Sequence, residues 1–163
     1  MKKINHLNPA LFLAVLFLLM FPAGVFANVT KEEALSTAKA KVPSGCAVTE
    51  VSFNKKAGTW ECEFLSKDKK KEYEVVVEAA SGKVLKLEME NVYDKGGRSV
   101  CITASKAKKA VLKCFKGVTV TRVRKAKDDG RYIFRVWFKS AAFHGDAEVN
   151  AKTGVVNEWR KFF

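Results

Sequence analysis

The sequence feature that most constrains the fold is an internal duplication. Residues 47–85 align without gaps on residues 119–157, at an offset of 72. The matches fall at strand valines and turn glycines, and they include Val48/Val120, Thr49/Thr121, Val51/Val123, Gly58/Gly130, Val77/Val149, Ala79/Ala151, Gly82/Gly154 and Val84/Val156. Upstream, Val29-Thr30 with Ala34 matches Ile102-Thr103 with Ala107 at an offset of 73. Agreement at helix starts, strands and turns together indicates a repeated structural unit.

Each copy has the pattern of one helix followed by four strands. Thr30-x-x-Glu33 forms a capping box that starts the first helix, and Pro43 ends it. The second helix is predicted over about 104–115, with Lys106 in place of the acidic residue of the box. Alternating apolar residues and turn glycines predict strands over 47–54, 59–65, 71–79, 83–90, 118–126, 131–139, 145–151 and 155–161. The predicted fold class is α+β, with two tandem modules, each one helix packed on one face of a roughly four-stranded antiparallel sheet.

The N-terminus has the layout of a secretory signal. Lys2 and Lys3 precede an apolar run over 11–21, and Val25-Phe26-Ala27 offers small residues for cleavage after Ala27. An uncleaved anchor is the alternative, although the run is shorter than the roughly 20 residues that span a bilayer. We therefore predict a signal peptide at 1–27, a first module at 28–93, a linker at 94–101 and a second module at 102–163. No segment of the mature part is long and apolar enough to cross a membrane.

The excess positive charge belongs to the second module. Residues 28–93 hold 11 lysines and 11 acidic residues, whereas residues 102–163 hold 15 basic and 5 acidic residues, a net charge of +10. Strand alternation predicts which second-module side chains point away from the helix: Arg122, Arg124, Ile133, Arg135 and Trp137. Arginine and aromatic residues are enriched at protein interfaces, so this set is the candidate partner-binding surface. The alternative is that Ile133 and Trp137 pack against the other module.

The mature chain shows no pattern of catalytic or metal-binding residues. Its four cysteines form no C-x-x-C pair, and His144 is its single histidine, which argues against zinc. An even number of cysteines in an exported chain instead indicates disulfides, with three connectivities. The glutamates alternate along predicted strand faces, and no phosphate-binding loop is present. We predict that the protein is not an enzyme and has no cofactor.

Three segments of the first copy together resemble a PepSY domain. They are Val29-Thr30-Lys31-Glu32-Glu33-Ala34, Gly58-Thr59-Trp60-Glu61-Cys62-Glu63-Phe64, and Glu72 to Ala79 with Ser81-Gly82-Lys83-Val84-Leu85. The second copy resembles it through Ile102-Thr103 to Ala107 and through Ala147 to Val156. The resemblance implies an inhibitory or partner-binding role, as in the propeptides of thermolysin-type proteases.

The tandem arrangement is also similar to the architecture of the secreted β-lactamase inhibitor protein. That comparison implies a disulfide between Cys46, just after the first helix, and Cys62, in a following strand. The second copy departs from it, because Phe134 aligns with Cys62. A bond between Cys101 and Cys114 would have to span an intact helix of roughly 18 Å, whereas bonded cysteines need Cα atoms within about 7 Å. That pair can bond only if the helix is shorter than predicted.

The functional prediction is an exported protein-binding module, with inhibition or assisted folding of an exported protease or other enzyme as candidate roles. The alternative is a cationic binder of acidic envelope polymers or of an anionic membrane surface. A third reading joins the acidic face of one module to the basic face of another copy, which gives oligomers. Export disfavours nucleic acid as a partner.

Overall fold

The computed structural model describes residues 28–93, 97–128 and 130–163. The predicted signal peptide at 1–27 and residues 94–96 of the predicted linker lie outside the described residues. The elements are α1 (Lys31–Lys39), β1 (Ala47–Asn54), β2 (Thr59–Leu65), β3 (Lys71–Glu78), β4 (Val84–Asn91), α2 (Ala104–Cys114), β5 (Thr119–Asp128), β6 (Arg131–Lys139), β7 (His144–Asn150) and β8 (Val156–Phe162).

The two helices begin where the capping residues predict. The Glu33 backbone N–H donates to Thr30 Oγ1 at 3.2 Å, and the Thr30 N–H donates to a Glu33 carboxylate oxygen at 2.8 Å. The capping box is therefore confirmed. In α2, Thr103 Oγ1 accepts from the Lys106 N–H at 3.3 Å, and Lys106 offers no carboxylate to complete the box.

The strands form one continuous antiparallel sheet in the order β1-β2-β3-β4-β8-β7-β6-β5. The prediction of two tandem helix-on-sheet modules is therefore wrong, because β4 pairs with β8 from Lys86↔Phe162 to Glu90↔Glu158. Each of these strands is the last of its copy, and pairing satisfies the backbone donors and acceptors that an exposed edge leaves open. The fold is mostly β: 64 of the described residues lie in strands and 20 in helices.

Both helices pack on the same face of this sheet, over two neighbouring cores. One core surrounds Ala34 and Ala38 of α1, and the other surrounds Ala107 and Val111 of α2. Trp159 of β8 packs against both cores. One row of directly opposite residues carries the apolar layer across the junction: Phe64, Tyr73, Met89, Trp159, Ala147, Val136 and Val123.

The duplication extends to the irregularities of the strand pairing. The register shifts at Val48/Glu50 in β1 and at Val120/Arg122 in β5, again at an offset of 72. A second pair of shifts, at residues 76–77 and 148–149, has the same offset. Such bulges are reproducible features of a backbone, so their recurrence supports a shared architecture in the two copies.

One strand breaks the ungapped alignment. Val51 faces Cys62 in the first copy, and its counterpart Val123 faces Val136 in the second. Val136, and not Phe134, therefore stands at the position of Cys62. β6 is thus displaced by two residues relative to the ungapped alignment. The hairpin of the first copy ends at the pair Asn54↔Thr59, whereas in the second copy the strands stay paired to 128↔131.

Candidate functional site: the open face of the sheet

The face of the sheet opposite to α1 and α2 is called the open face here. In the first copy it carries four glutamates that stand directly opposite one another on adjacent strands, and we call them the glutamate row: Glu50, Glu63, Glu74 and Glu88. Lys86 contacts two of them, with Nζ 2.8 Å from Glu74 and 2.7 Å from Glu88. Within the described part of the chain, no ion pair reaches Glu50 or Glu63. The row therefore retains negative charge.

A second line of glutamates lies beside the first and crosses the junction of the two copies. Glu72, Glu90, Glu158 and Glu148 are directly opposite in turn, and Arg135 and Arg124 continue the line. Burial raises the pKa of Glu158 to about 7, and the charge of Glu148 adds to the shift while Arg160 opposes it. This carboxyl group therefore changes charge near neutral pH.

The acidic side chains surround a shallow hollow in the first copy. Its volume is about 300 Å³, and the glutamates that line it are Glu63, Glu72, Glu74, Glu88 and Glu90. Partial desolvation raises the pKa of Glu63, which remains exposed, and the neighbouring carboxylates, first Glu50 and then Glu74, raise it further. The hollow thus has a strongly negative potential.

Only some of the residues predicted to form the partner-binding surface are exposed. Arg122 and Arg124 are exposed, and the Arg122 guanidinium lies 5.0 Å from the centre of the half-buried Trp137 ring. Arg135 forms an ion pair with Glu148. Ile133 is only 2 % exposed, so it offers no contact surface.

The burial of Ile133 follows from its place in the ladder. Ile133 pairs with Asn150, as Thr59 pairs with Glu78 in the first copy, and Thr59 is also buried. Both residues lie near the start of their strand on the open face. Ile133 is thus the counterpart of Thr59, which the ungapped alignment does not show because it places Arg131 there.

Sequence reasoning missed the acidic partners of the second-copy arginines. Arg160 donates from Nη2 to Asp146 at 2.8 Å, and Asp146 is only 9 % exposed. A signal for this pair was available, since the offset of 72 places Asp146 on Glu74 and Arg160 on Glu88. Mapping the charges of one copy onto the other would have shown that the second copy alternates sign where the first does not.

The remaining histidine and acidic residues do not assemble a metal centre in the described chain. His144 is exposed at the start of β7 and stacks on Phe162 with ring centres 5.4 Å apart. Residues 28–93, 97–128 and 130–163 contain no group of three or more His, Cys, Asp or Glu side chains arranged to hold a metal ion. In the same ranges, no helix has the length and apolarity required to span a bilayer.

All four cysteines are free thiols in the structure. Ala47 pairs with Leu65, three residues along β2 from Cys62, which corresponds to about 10 Å at the usual rise of a strand. Bonded cysteines need Cα atoms within about 7 Å. The Cys46–Cys62 disulfide stays a prediction, and its formation would require the segment before β1 to fold back over β2.

Comparison with known proteins identifies a domain in the first copy. Residues 28–88 match the family described as "Peptidase propeptide and YPEB domain", PepSY. No curated protein matches the chain.

Three solved structures are similar at low identity. A candidate lipoprotein of Clostridium difficile 630 is 18% identical, with a TM-score of 0.36, covering 82% of this chain and 93% of that one. The Bacillus megaterium YpeB C-terminal domain is 13% identical, with a TM-score of 0.44, covering 81% and 62%. A BLIP-like protein of Bacteroides fragilis NCTC 9343 is 14% identical, with a TM-score of 0.33, covering 78% and 83%. On the family match, the chain carries a PepSY domain at residues 28–88.

Proposed function

We propose that this protein is an exported, non-catalytic module that binds another protein through the open face of its sheet. The observation that carries the proposal is that α1 and α2 both pack on one face of the eight-stranded sheet, so that among the described residues neither helix covers the other face. Charged and aromatic side chains occupy that uncovered face. A sheet face of this width can supply the roughly 800 Å² per partner of a standard protein interface.

In this proposal the second copy contributes three of the residues predicted from the sequence, Arg122, Arg124 and Trp137. Arg122 and Arg124 are exposed, and Trp137 supports the Arg122 guanidinium from below. Arginine and tryptophan are enriched among residues that dominate binding energy. Because the PepSY family includes peptidase propeptides by its description, the proposed partner is an exported peptidase or another exported enzyme.

The experiment compares capture of envelope and secreted proteins by residues 28–163 with capture by an Arg122→Glu/Arg124→Glu variant. Each sample is washed at low and at physiological salt. The control is Lys108→Glu/Lys109→Glu, which changes the net charge equally on exposed positions of α2. We expect one defined protein to be retained by the native chain and the control and lost by the variant. Calorimetry with the purified pair should then give a fixed stoichiometry.

A different result would favour the alternative function. The exposed side of α2 carries Lys106, Lys108, Lys109 and Lys113, which suit an acidic envelope polymer or an anionic membrane surface. That function predicts a broad anionic mixture that leaves at physiological salt, because such binding depends on screened charges. It also predicts that the α2 control loses binding at least as strongly as the open-face variant. Either result would rule out the open face as the binding surface.

A further inference from the structure

The glutamate row has an arrangement that opposes folding. Like charges directly opposite on antiparallel strands destabilise the pair, and Glu50, Glu63 and Glu74 stand in that relation. Lys86 is shared between Glu74 and Glu88, and Arg160 stands directly opposite Glu88, but no ion pair of the described residues reaches Glu50 or Glu63. The row thus carries charge that the fold leaves unbalanced.

The second copy shows that the backbone does not require this charge. The four ladder positions of the glutamate row are occupied there by Arg122, Trp137, Asp146 and Arg160. These side chains compensate one another: Arg160 bonds Asp146 at 2.8 Å, and Arg122 lies over Trp137 at 5.0 Å. The same sheet positions therefore accept a balanced set, and the acidic set of the first copy needs another explanation.

The acidic charge is also placed where a partner can reach it. Glu50, Glu63 and Glu72 are exposed, and neither helix lies on this face. Glu63 and Glu72 line the hollow of about 300 Å³, so side chains of a docked surface can enter it. A ligand of opposite charge would relieve the repulsion along the row.

From these observations we infer that the first copy's half of the open face binds a protein surface that presents lysine or arginine side chains to the glutamate row. The inference rests on the proposed function and adds the chemistry of the partner. The partner's basic residues contact Glu50, Glu63 and Glu74 of the first copy. Its acidic or aromatic residues contact Arg122 and Arg124 of the second copy. The attraction for a basic partner comes from the glutamate row alone, because the chain as a whole has a net charge of +13.

The test uses a decalysine peptide as the probe, titrated into ¹⁵N-labelled protein at low ionic strength and followed by NMR. We expect saturable shift changes at Glu63, Glu74 and their neighbours on β1 to β4, with none on α2. The variant Glu50→Gln/Glu63→Gln, which leaves the Lys86–Glu74 ion pair in place, should bind at least tenfold more weakly. The matched control is Glu32→Gln/Asp128→Asn, which removes the same charge from exposed positions outside the row and should bind within about twofold of the native chain.

Thermal unfolding separates a binding role from a structural one. Removing two like charges that have no ion pair among the described residues should raise the Tm of Glu50→Gln/Glu63→Gln, whereas glutamates that serve the fold would lower it on removal and overturn the inference. Absence of saturable binding, or equal loss in the control, also overturns it. Sedimentation at low salt gives the last outcome: self-association that the same variant abolishes would assign the row to a second copy of this chain.

The result is separable from that of the capture experiment. Arg122 and Arg124 report on the other half of the open face. Capture that depends on them while decalysine fails to bind would remove this inference and leave the proposed function intact.

Discussion

The two copies place different charges on the same ladder positions. The glutamate row of the first copy corresponds to Arg122, Trp137, Asp146 and Arg160 in the second. At another shared position the signs are reversed, since Lys86 lies between two acids and its counterpart Glu158 lies opposite Glu148. The helix face does not differ in this way, because both copies fill it with buried apolar residues. The core of the repeat is thus constrained by packing, whereas the open face is free to carry function.

The largest expected effect comes from the balanced row of the second copy. Arg160→Gln should lower the free energy of unfolding by about 2 kcal/mol, because it leaves the buried Asp146 carboxylate without its ion pair. The matched change in the first copy, Glu88→Gln, should alter it by less than about 0.5 kcal/mol, since Lys86 keeps Glu74. Urea denaturation of both variants measures the difference. Equal losses would mean that the two rows do not differ in electrostatic balance.

A smaller effect is expected at Glu158, and it depends on pH. Its pKa is about 7 in the folded chain and near the ordinary value of about 4.3 when unfolded, so the folded state holds the extra proton between these values. Stability contributed by the protonated form is therefore present at low pH and is lost as pH rises through 7. Glu158→Gln should accordingly stabilise the protein by about 1 kcal/mol at pH 8, because solvent partly screens the charge, and by almost nothing at pH 4.

Chemical denaturation at several pH values provides the measurement for Glu158→Gln. The difference between variant and native chain should grow steadily from pH 4.5 to 7. A difference independent of pH would show that Glu158 is ionised normally and that the junction of the two copies tolerates its charge.

The smallest effect concerns the cysteines, since the first copy has Cys62 in its core where the second has Val136. Cys62 is buried, and burial raises its thiol pKa, whereas Cys101 is exposed. A thiol reagent should therefore modify Cys101 quickly and Cys62 only after unfolding. Because all four cysteines are free in the structure, we expect four thiols in denatured, unreduced protein. Two thiols would instead demonstrate one disulfide, and mass spectrometry of the peptides would show whether it joins Cys46 to Cys62.

Local features of the chain were predictable because local chemistry decides them. The bounds of β2 and β6 agree with the prediction to the residue, since turn glycines and alternation define where a strand can begin and end. The Thr30–Glu33 capping box could likewise be identified from four residues. The apolar face of each strand also followed from the period of two, as the buried Cys62, Phe64 and Val75 illustrate.

The open face was less predictable, because its character depends on pairs of strands. The register of β6 is displaced by two residues relative to the ungapped repeat, and Ile133 is buried as a consequence of its ladder position. Arg135 and Trp137 point to the predicted face. Arg135 forms an ion pair with Glu148, and the Arg122 guanidinium lies over the Trp137 ring. The glutamates of the first copy were visible as an alternating pattern, whereas their direct opposition across four strands required the pairing.

The sequence by itself determined the repeat, the extents of its elements and the face that each strand buries, since these depend on spacing along the chain. Only the tertiary structure decided that the two copies share one sheet. The physical reason is that β4 and β8 join through backbone hydrogen bonds, which any sequence can form, and side-chain patterns do not name a partner edge. That single pairing places Trp159 between both cores and aligns the acidic and basic halves on one continuous open face.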